Sequence, residues 1–188
     1  MEITLDLTRQ YTYFDYLSDL FKDVKCELIN GFVNLMAGPS WKHSRISTNI
    51  ATYLNQYALF HNCGCFVLHS PFDVVLGDDK KNVIQPDVFI VCDESKIEKN
   101  VCFGSPDLVV EVISPSNTKK IMRHKYQLYE KYKILEYWVV YPKDEEILVF
   151  LHQGEEYDDG TVYTVEDIIQ PKCLPGLDIK VADLFRNT

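Results

Sequence analysis

Hydrophobic and polar positions alternate along this 188-residue chain in a pattern that predicts both strands and helices. Apolar residues recur at helical spacing from Trp41 to about His61, and a second helix is predicted over about 118–133. Continuous apolar runs at 88–92, 108–113 and 137–141 are typical of strands buried on both faces of a sheet. The pattern therefore predicts a mixed α/β (α+β) architecture.

Shorter segments surround this middle region. The dipeptide Asn30-Gly31 lies between two apolar runs and predicts an N-terminal β-hairpin, because it readily adopts a type I′ turn. Weaker patterns predict a short helix over 13–20, strands at about 65–69, 72–76, 146–151 and 161–165, a polar loop over 77–82, an irregular stretch over 93–105 and a short helix from Val181 to Phe185. We expect one domain over 1–188, with a core at about 41–141 and a C-terminal β-rich extension over 142–188 that covers the core or forms an interface.

Composition and charge narrow the class of protein. Hydrophobic residues make up 46% of the chain and the formal net charge is −9, so the chain should fold, and a nucleic-acid partner would need a local basic patch. The start lacks a signal-peptide pattern, and no apolar run reaches the ~18 residues of a membrane span, so we expect a cytoplasmic protein without a membrane partner. The six cysteines lack zinc-ligand spacing. Cys63-Gly64-Cys65 is the nearest approach to a ligand pair, and we expect free thiols in a reducing compartment.

Two acidic residues interrupt the apolar runs. Asp87 opens the run at 88–92, and Glu111 lies inside the run at 108–113. A buried unpaired carboxylate is costly, whereas a divalent cation stabilises two carboxylates that could not otherwise stay ionised together. Asp107 shares strand parity with Glu111 but lies about 13 Å from it at ~3.3 Å per residue, too far to share one ion. The pattern therefore predicts a site at Asp87 and Glu111 for Mg²⁺ or Mn²⁺, which prefer oxygen ligands.

Three motifs and their order resemble a known family. The motifs are Cys26-Glu27-Leu28-Ile29-Asn30-Gly31, Gln85-Pro86-Asp87-Val88 and the segment 106–116, followed by Lys125, Tyr129, Glu136, Tyr137 and Trp138. The predicted order is helix, three strands, helix and strand, with acids on the second and third strands, and it resembles the core of the PD-(D/E)XK nucleases. Over roughly residues 25–185 these features resemble the Uma-two family. That resemblance implies a restriction endonuclease-like fold, a mixed sheet flanked by helices, and Mg²⁺-dependent (or Mn²⁺-dependent) hydrolysis of phosphodiester bonds in nucleic acid, with DNA as the first candidate.

The resemblance also assigns site residues. Asp87 and Glu111 match the acids of the superfamily, and the main-chain carbonyl of Val112 would complete the metal shell. Ile113 stands where the superfamily has the lysine of its E-x-K triplet. The resemblance places the catalytic lysine at Lys125 on the next helix instead. Apolar neighbours at helical spacing predict that the amine of Lys125 points inward, although the side chain could also extend along apolar surface to solvent.

Further candidates have open alternatives. Glu27 matches an acid of the family and is expected either to join the site or to stay inert as an exposed hairpin residue. His43 could contact a phosphate or a metal-bound water, or could only cap or pack its helix. Lys119, Lys120 and Arg123 are expected to face water, either as a nucleic-acid-binding surface or as a solvated helical face.

A second function fits the same sequence. The missing lysine at position 113 and the acidic net charge also suit a catalytically silent module that keeps the nuclease fold for nucleic-acid or protein binding. A glycosidase using the same carboxylates is less well supported, because no sugar-binding pattern accompanies them. For a homodimer, the strand at 137–141 and the C-terminal segment would form the contact, or they would instead complete the core of one chain.

Overall fold

Fourteen short strands and four helices make up the part of the chain that the computed structural model describes, residues 5–114 and 119–188. The helices are α1 (Tyr13–Tyr16), α2 (Trp41–His61), α3 (Lys119–Lys131) and α4 (Val181–Leu184), with 3-10 turns at Asp19–Phe21 and Glu94–Lys96. The strands are β1 (Cys26–Ile29), β2 (Phe32–Leu35), β3 (Phe66–His69), β4 (Asp73–Leu76), β5 (Asn82–Ile84), β6 (Val88–Val91), β7 (Ile97–Glu98), β8 (Val101–Phe103), β9 (Leu108–Val112), β10 (Glu136–Tyr141), β11 (Glu146–Leu151), β12 (Thr161–Tyr163), β13 (Ile168–Ile169) and β14 (Ile179–Lys180). Residue 118, the predicted start of the second helix, lies outside the described residues.

The central sheet has the strand order β12-β11-β10-β9-β6-β3. β9 and β10 are parallel and are joined through α3, whereas the other neighbouring pairs are antiparallel. Along the chain, α2 is followed by three strands of this sheet (β3, β6 and β9), then by α3 and β10. The predicted order of helix, three strands, helix and strand is therefore confirmed.

A second sheet, with the order β2-β1-β5-β4-β8-β7, holds the N-terminal hairpin and the strands that leave the central sheet. The predicted turn of the hairpin is confirmed, because Asn30 and Gly31 have φ values of 52° and 81°. The polar loop predicted over 77–82 is wrong at its end, where Asn82 begins β5. The buried Asn82 side chain accepts the Asn30 N–H at 2.7 Å, so a polar residue in this strand fastens the hairpin.

Other differences concern short elements. The segment 93–105 contains a 3-10 turn and the strands β7 and β8, and the helix predicted over 13–20 is α1 followed by a separate 3-10 turn. Strands of two or three residues are too short to give a periodic pattern, so pairing with β4 determines the position of β8.

The core has layers on both faces of the central sheet. On one face, α2 buries Ile46, Ile50 and Leu54 together with α4 and the β13–β14 pair. On the other face, α3 buries Leu128 and Tyr129. The C-terminal extension adds β11 and β12 to the same sheet, and β10 lies between β9 and β11. Of the two alternatives for these segments, the structure shows that they complete the core of this chain.

Cys65 and Cys92 form a disulfide, so the expectation that all six cysteines are free thiols is wrong for these two residues. The antiparallel register places Phe66 opposite Val91, and the next pair outward is Cys65 opposite Cys92. The separation of 27 residues gave no indication of this contact. Among the described residues, no helix is long and apolar enough to cross a membrane.

Glu136 is a buried acid at the start of β10 and gives a prediction for stability. Its carboxylate accepts the Trp138 Nε1–H and the Lys172 backbone N–H, both at 2.7 Å. Burial raises the pKa of Glu136, and these hydrogen bonds only partly oppose the rise. Because the folded-state pKa lies above the unfolded value, the stability contributed by Glu136 is lost as the pH rises from below the unfolded pKa through the folded pKa.

We therefore expect wild-type protein to lose stability relative to Glu136→Gln as the pH rises from about 4.5 to 7. Urea unfolding of both chains at several pH values in this window measures the difference. A difference in the free energy of unfolding that stays constant with pH would contradict the assignment, and the comparison cancels the titration of all other groups.

Candidate functional site

A cavity of about 710 Å³ opens at the end of the central sheet where β6 begins and β9 ends. Its titratable lining includes three acids, one lysine and one histidine singled out from the sequence, namely Glu27, Asp87, Glu111, Lys125 and His43. Val112 also lines the cavity. The fold therefore brings together candidates that are spread over about a hundred positions of the chain.

The two predicted metal-binding acids lie on neighbouring strands. β6 and β9 are antiparallel with Val88 opposite Val110, so the next pair outward is Asp87 opposite Glu111. Residues directly opposite in an antiparallel pair have Cβ atoms about 4.5–5.5 Å apart and point to the same face. Asp107 lies at the other end of β9, where its Oδ2 accepts the Cys92 N–H at 2.8 Å. The sequence reasoning that separated Asp107 from the pair agrees with this position.

Lys125 points inward from α3, as its apolar neighbours predicted. Its Nζ donates to Glu111 Oε1 at 2.8 Å and to Glu27 Oε1 at 2.9 Å, and the residue is 3% exposed. The alternative of a lysine that extends to solvent is therefore wrong. Burial alone would lower the pKa of Lys125, but the charges of Glu111 and Glu27 outweigh it and raise the pKa. Lys125 is consequently a protonated hydrogen-bond donor near neutral pH.

Glu27 is not the exposed hairpin residue that its position in β1 suggested. It is 3% exposed, and its Oε1 accepts the backbone N–H of Gln85 at 2.9 Å in addition to the Lys125 ammonium. The cause is the neighbouring strand: β5 pairs with β1 and leads directly into the segment before Asp87, so the hairpin is covered on that side. Glu27 therefore fixes Lys125 and the chain that carries Asp87.

Glu111 is the most strongly perturbed acid of the site. Burial raises the pKa of Glu111, Lys125 opposes this rise, and the nearby charges of Asp87 and Glu27 add to it. Tyr129 lies one helical turn after Lys125 and donates its hydroxyl to Glu111 Oε1 at 2.5 Å. One oxygen of Glu111 thus accepts two hydrogen bonds from α3. No hydrogen bond among the described residues involves its other oxygen, Oε2.

His43 contacts Asp87 across the cavity. Its helix begins after Ser40, whose hydroxyl accepts the His43 backbone N–H at 3.2 Å. The His43 Nε2 lies 3.1 Å from Asp87 Oδ2, and the same oxygen accepts the Val112 N–H at 2.7 Å. Burial lowers the pKa of His43, but the hydrogen bond and charge of Asp87 outweigh it, so the pKa is raised. These contacts fix Asp87 Oδ2, while no hydrogen bond among the described residues reaches Oδ1.

The remaining candidates lie outside this network. Ile113 packs against the apolar cluster under α3 and supplies no cation. Lys119, Lys120 and Arg123 are exposed on the first turns of α3, as predicted. They form a basic surface next to the cavity, because α3 also carries Lys125 into it.

The donor chemistry of the site fits a hard divalent cation. Three carboxylates face one ammonium group, which leaves a negative excess of two charges if His43 is neutral. No three His, Cys, Asp or Glu side chains of the described residues are grouped closely enough to bind one ion. An ion at the site would therefore use Asp87, Glu111 and the main-chain oxygen of Val112, with water in the other positions. Mg²⁺ is commonly bound through one or two carboxylates and keeps several waters, so this donor set fits Mg²⁺ or Mn²⁺.

Sequence reasoning missed some of the residues that support the site. Gln85 Nε2 donates to Asp73 Oδ1 at 2.9 Å and to the Tyr16 hydroxyl at 3.2 Å, which ties the segment before Asp87 to β4 and α1. Nothing in the sequence indicates these contacts, because the three residues are far apart in the chain. Tyr129 could have been found, since a tyrosine four residues after an inward lysine reaches the same carboxylate.

Comparisons with known proteins agree with this fold and site. The family Uma2, described as "Putative restriction endonuclease", matches residues 12–182. The Synechocystis sp. "Uncharacterized protein slr1290" is 25% identical over 164 residues, which are 87% of this chain and 84% of that protein. The crystal structure of "a putative nuclease belonging to DUF820" from Anabaena variabilis has a TM-score of 0.72 at 18% identity and covers 85% of this chain and 89% of that chain, so the fold is shared. Since the family model matches most of its length, the chain belongs to the Uma2 family of nuclease-like proteins.

Proposed function

We propose that this protein hydrolyses phosphodiester bonds of nucleic acid, with DNA as the first candidate, in a reaction that depends on Mg²⁺ or Mn²⁺. One observation carries the proposal: Asp87 and Glu111 lie opposite each other at the rim of a cavity that also contains a buried, protonated lysine. This combination supplies oxygen ligands for a cation and a positive group for a phosphate in one place. The family and the shared fold support the same class of reaction.

Asp87, Glu111 and the carbonyl of Val112 would hold the cation. A bound divalent ion supplies Lewis-acid polarisation of the phosphate and lowers the pKa of coordinated water. The chain prepares the ligands for this task. His43 and the Val112 N–H hold one oxygen of Asp87, and Lys125 and Tyr129 hold one oxygen of Glu111. One oxygen of each acid is thus fixed within the protein, and the second oxygen of each has no hydrogen bond among the described residues.

Lys125 would act through its charge. Because its pKa is raised, the ammonium group cannot accept a proton from water near neutral pH, and general-base catalysis by this residue is excluded. A buried ammonium at the cavity wall stabilises negative charge that develops on a phosphate, because it is already oriented by two carboxylates. Glu27 is then a positioning residue, since it holds Lys125 and the backbone of Gln85.

The basic surface of α3 would hold the nucleic-acid backbone. Each phosphate neutralised by a lysine or arginine contributes a slope of about −0.9 to the dependence of log affinity on log salt concentration for B-DNA, and about −0.7 for single strands. The variant Lys119→Ala, Lys120→Ala, Arg123→Ala should therefore flatten this slope by about 2 to 3. Fluorescence anisotropy at several salt concentrations measures it, and an unchanged slope would mean that these residues form only a solvated helical face.

The direct test of function is a cleavage assay on plasmid, single-stranded DNA and RNA, with Mg²⁺, with Mn²⁺ and with a chelator. We expect cleavage of at least one substrate that the chelator abolishes and that a second metal addition restores. If every substrate stays intact while the protein still binds nucleic acid, the catalytically silent module is the correct function. The absence of a strand-borne lysine at Ile113 is the observation that favours this second candidate.

A further inference from the structure

A long segment of this highly charged chain contains no charged residue. Charged residues make up 25% of the sequence, so about seven would be expected in a segment of 27 residues. Residues 46–72 nevertheless contain no Asp, Glu, Lys or Arg. This segment forms most of α2 and all of β3, and a large share of it lies at the surface. An uncharged surface on a chain of net charge −9 requires a physical reason.

The exposed face of α2 has apolar ends and a small polar middle. Trp41, Thr48, Thr52, Asn55 and Leu59 follow one another at spacings of seven, four, three and four residues, so they lie on one stripe of the helix. Trp41 is 66% exposed and Leu59 is 73% exposed. The middle of the stripe carries small or short polar side chains, which allow another backbone to approach closely.

The edge strand β3 continues this surface. It is the last strand of the central sheet and pairs only with β6 among the described residues. Natural edge strands are commonly protected by a lysine, a proline or an inward-pointing charge, and β3 contains none of these. Phe60 at the end of α2 is 86% exposed, and Phe66 at the start of β3 is 38% exposed. The surface formed by the α2 stripe and β3 is called the neutral face below.

We propose that the neutral face is the contact between two copies of this chain in solution. A nucleic acid is the wrong occupant, because a polyanion is bound through lysine and arginine and residues 46–72 supply neither. Two copies with a net charge of −9 each repel one another, and an uncharged face is where this repulsion opposes contact least. Depletion of charge together with exposed Trp and Phe is also the composition of interface cores.

The neutral face is self-complementary under a two-fold axis. Such an axis brings the α2 helices of two copies side by side in opposite directions, and a helix of 21 residues is about 31 Å long. The Trp41 end of one stripe then lies near the Leu59 and Phe60 end of the other, and the small polar residues meet in the middle. A two-fold contact of this kind closes on itself and gives a dimer rather than a filament.

The contact would also change the cavity. Ser44, Thr48, Thr52 and Asn55 of α2 and His69 of β3 line the cavity that holds Asp87 and Glu111. A second copy on the neutral face would therefore become part of the wall of each cavity, and the two cavities would lie at one interface. This consequence concerns only the position of the cavities, so the proposal does not depend on nuclease activity.

Analytical ultracentrifugation of the full chain tests the proposal. We expect wild-type protein at tens of micromolar to have twice the 21.9 kDa mass of one chain. The double variant Leu59→Glu, Phe60→Glu should have the mass of one chain. The matched control Phe14→Glu, Leu17→Glu changes two residues that are 67% and 62% exposed on another surface, and it should remain a dimer.

A second variant, Thr48→Arg with Thr52→Arg, places charge in the middle of the stripe and should also give a monomer. Circular dichroism confirms that each variant is folded, because all changed residues are exposed. A monomeric wild type would overturn the proposal. It would also be overturned if the folded neutral-face variants and the Phe14, Leu17 control had the same mass. Cleavage assays do not enter this test, so its failure is separate from failure of the proposed function.

Discussion

Asp87→Asn and Glu111→Gln are each expected to reduce metal-dependent cleavage by on the order of 10³-fold. Loss of a metal ligand removes several kcal/mol of transition-state stabilisation, and about 4 kcal/mol corresponds to a factor of 10³. Both substitutions keep the size of the side chain. Asn at position 87 still offers an oxygen to the Val112 N–H, so the loss should come from metal binding rather than from folding.

The structure provides a matched control for this experiment. Asp107 lies on the segment that enters β9, and its carboxylate accepts the Cys92 N–H at 2.8 Å, away from the cavity. Asp107→Asn keeps this acceptor and should retain cleavage within a factor of about two to three of wild type. Equal losses at positions 87, 107 and 111 would indicate a general effect on the fold and would contradict the assignment of Asp87 and Glu111 as ligands. Single-turnover cleavage at fixed Mn²⁺ concentration measures all three variants.

Lys125→Met should destabilise the folded protein by about 3–5 kcal/mol in the absence of metal. Removing one partner of a buried ion pair leaves uncompensated charge, and here both Glu27 and Glu111 lose their cation. Met fills a similar volume and packs well on the apolar face of α3, so the loss should arise mainly from the two unpaired carboxylates. Urea unfolding in the presence of a chelator measures the effect.

A triple variant separates charge from packing. Glu27→Gln, Lys125→Met, Glu111→Gln removes all three charges at once, so no buried charge remains unpaired. We expect it to recover more than half of the stability lost in Lys125→Met, because neutral replacements of complete buried ion clusters are often tolerated. If the triple variant is as unstable as the single one, the lysine contributes through packing and the electrostatic description of this cluster is wrong.

Sequence reasoning predicted the site from patterns that the chain repeats locally. Asp87 and Glu111 stood out because each interrupts an apolar run, and the inward direction of Lys125 followed from its neighbours one turn away. Burial of a strand face and the helical period are local properties, so the pattern predicted α2, α3, β6, β9 and β10 within a few residues.

The features that the sequence did not predict depend on contacts between distant segments. Glu27 was expected at an exposed hairpin, but pairing of β1 with β5 buries it beside Lys125. The Cys65–Cys92 disulfide follows from the register of β3 and β6, which the separate strand patterns do not contain. Strands as short as β5 become stable only through their neighbours, and no single-segment pattern indicates them.

A crystal of the protein soaked in Mn²⁺ tests the central claim most directly, through the anomalous signal of the ion. We predict one anomalous peak within about 2.0–2.6 Å of carboxylate oxygens of both Asp87 and Glu111, with the main-chain oxygen of Val112 among the ligands. Lys125 should still contact Glu111 through the oxygen that does not bind the ion. A peak that contacts neither acid, or no peak when both carboxylates are ordered, would contradict a metal site at this pair.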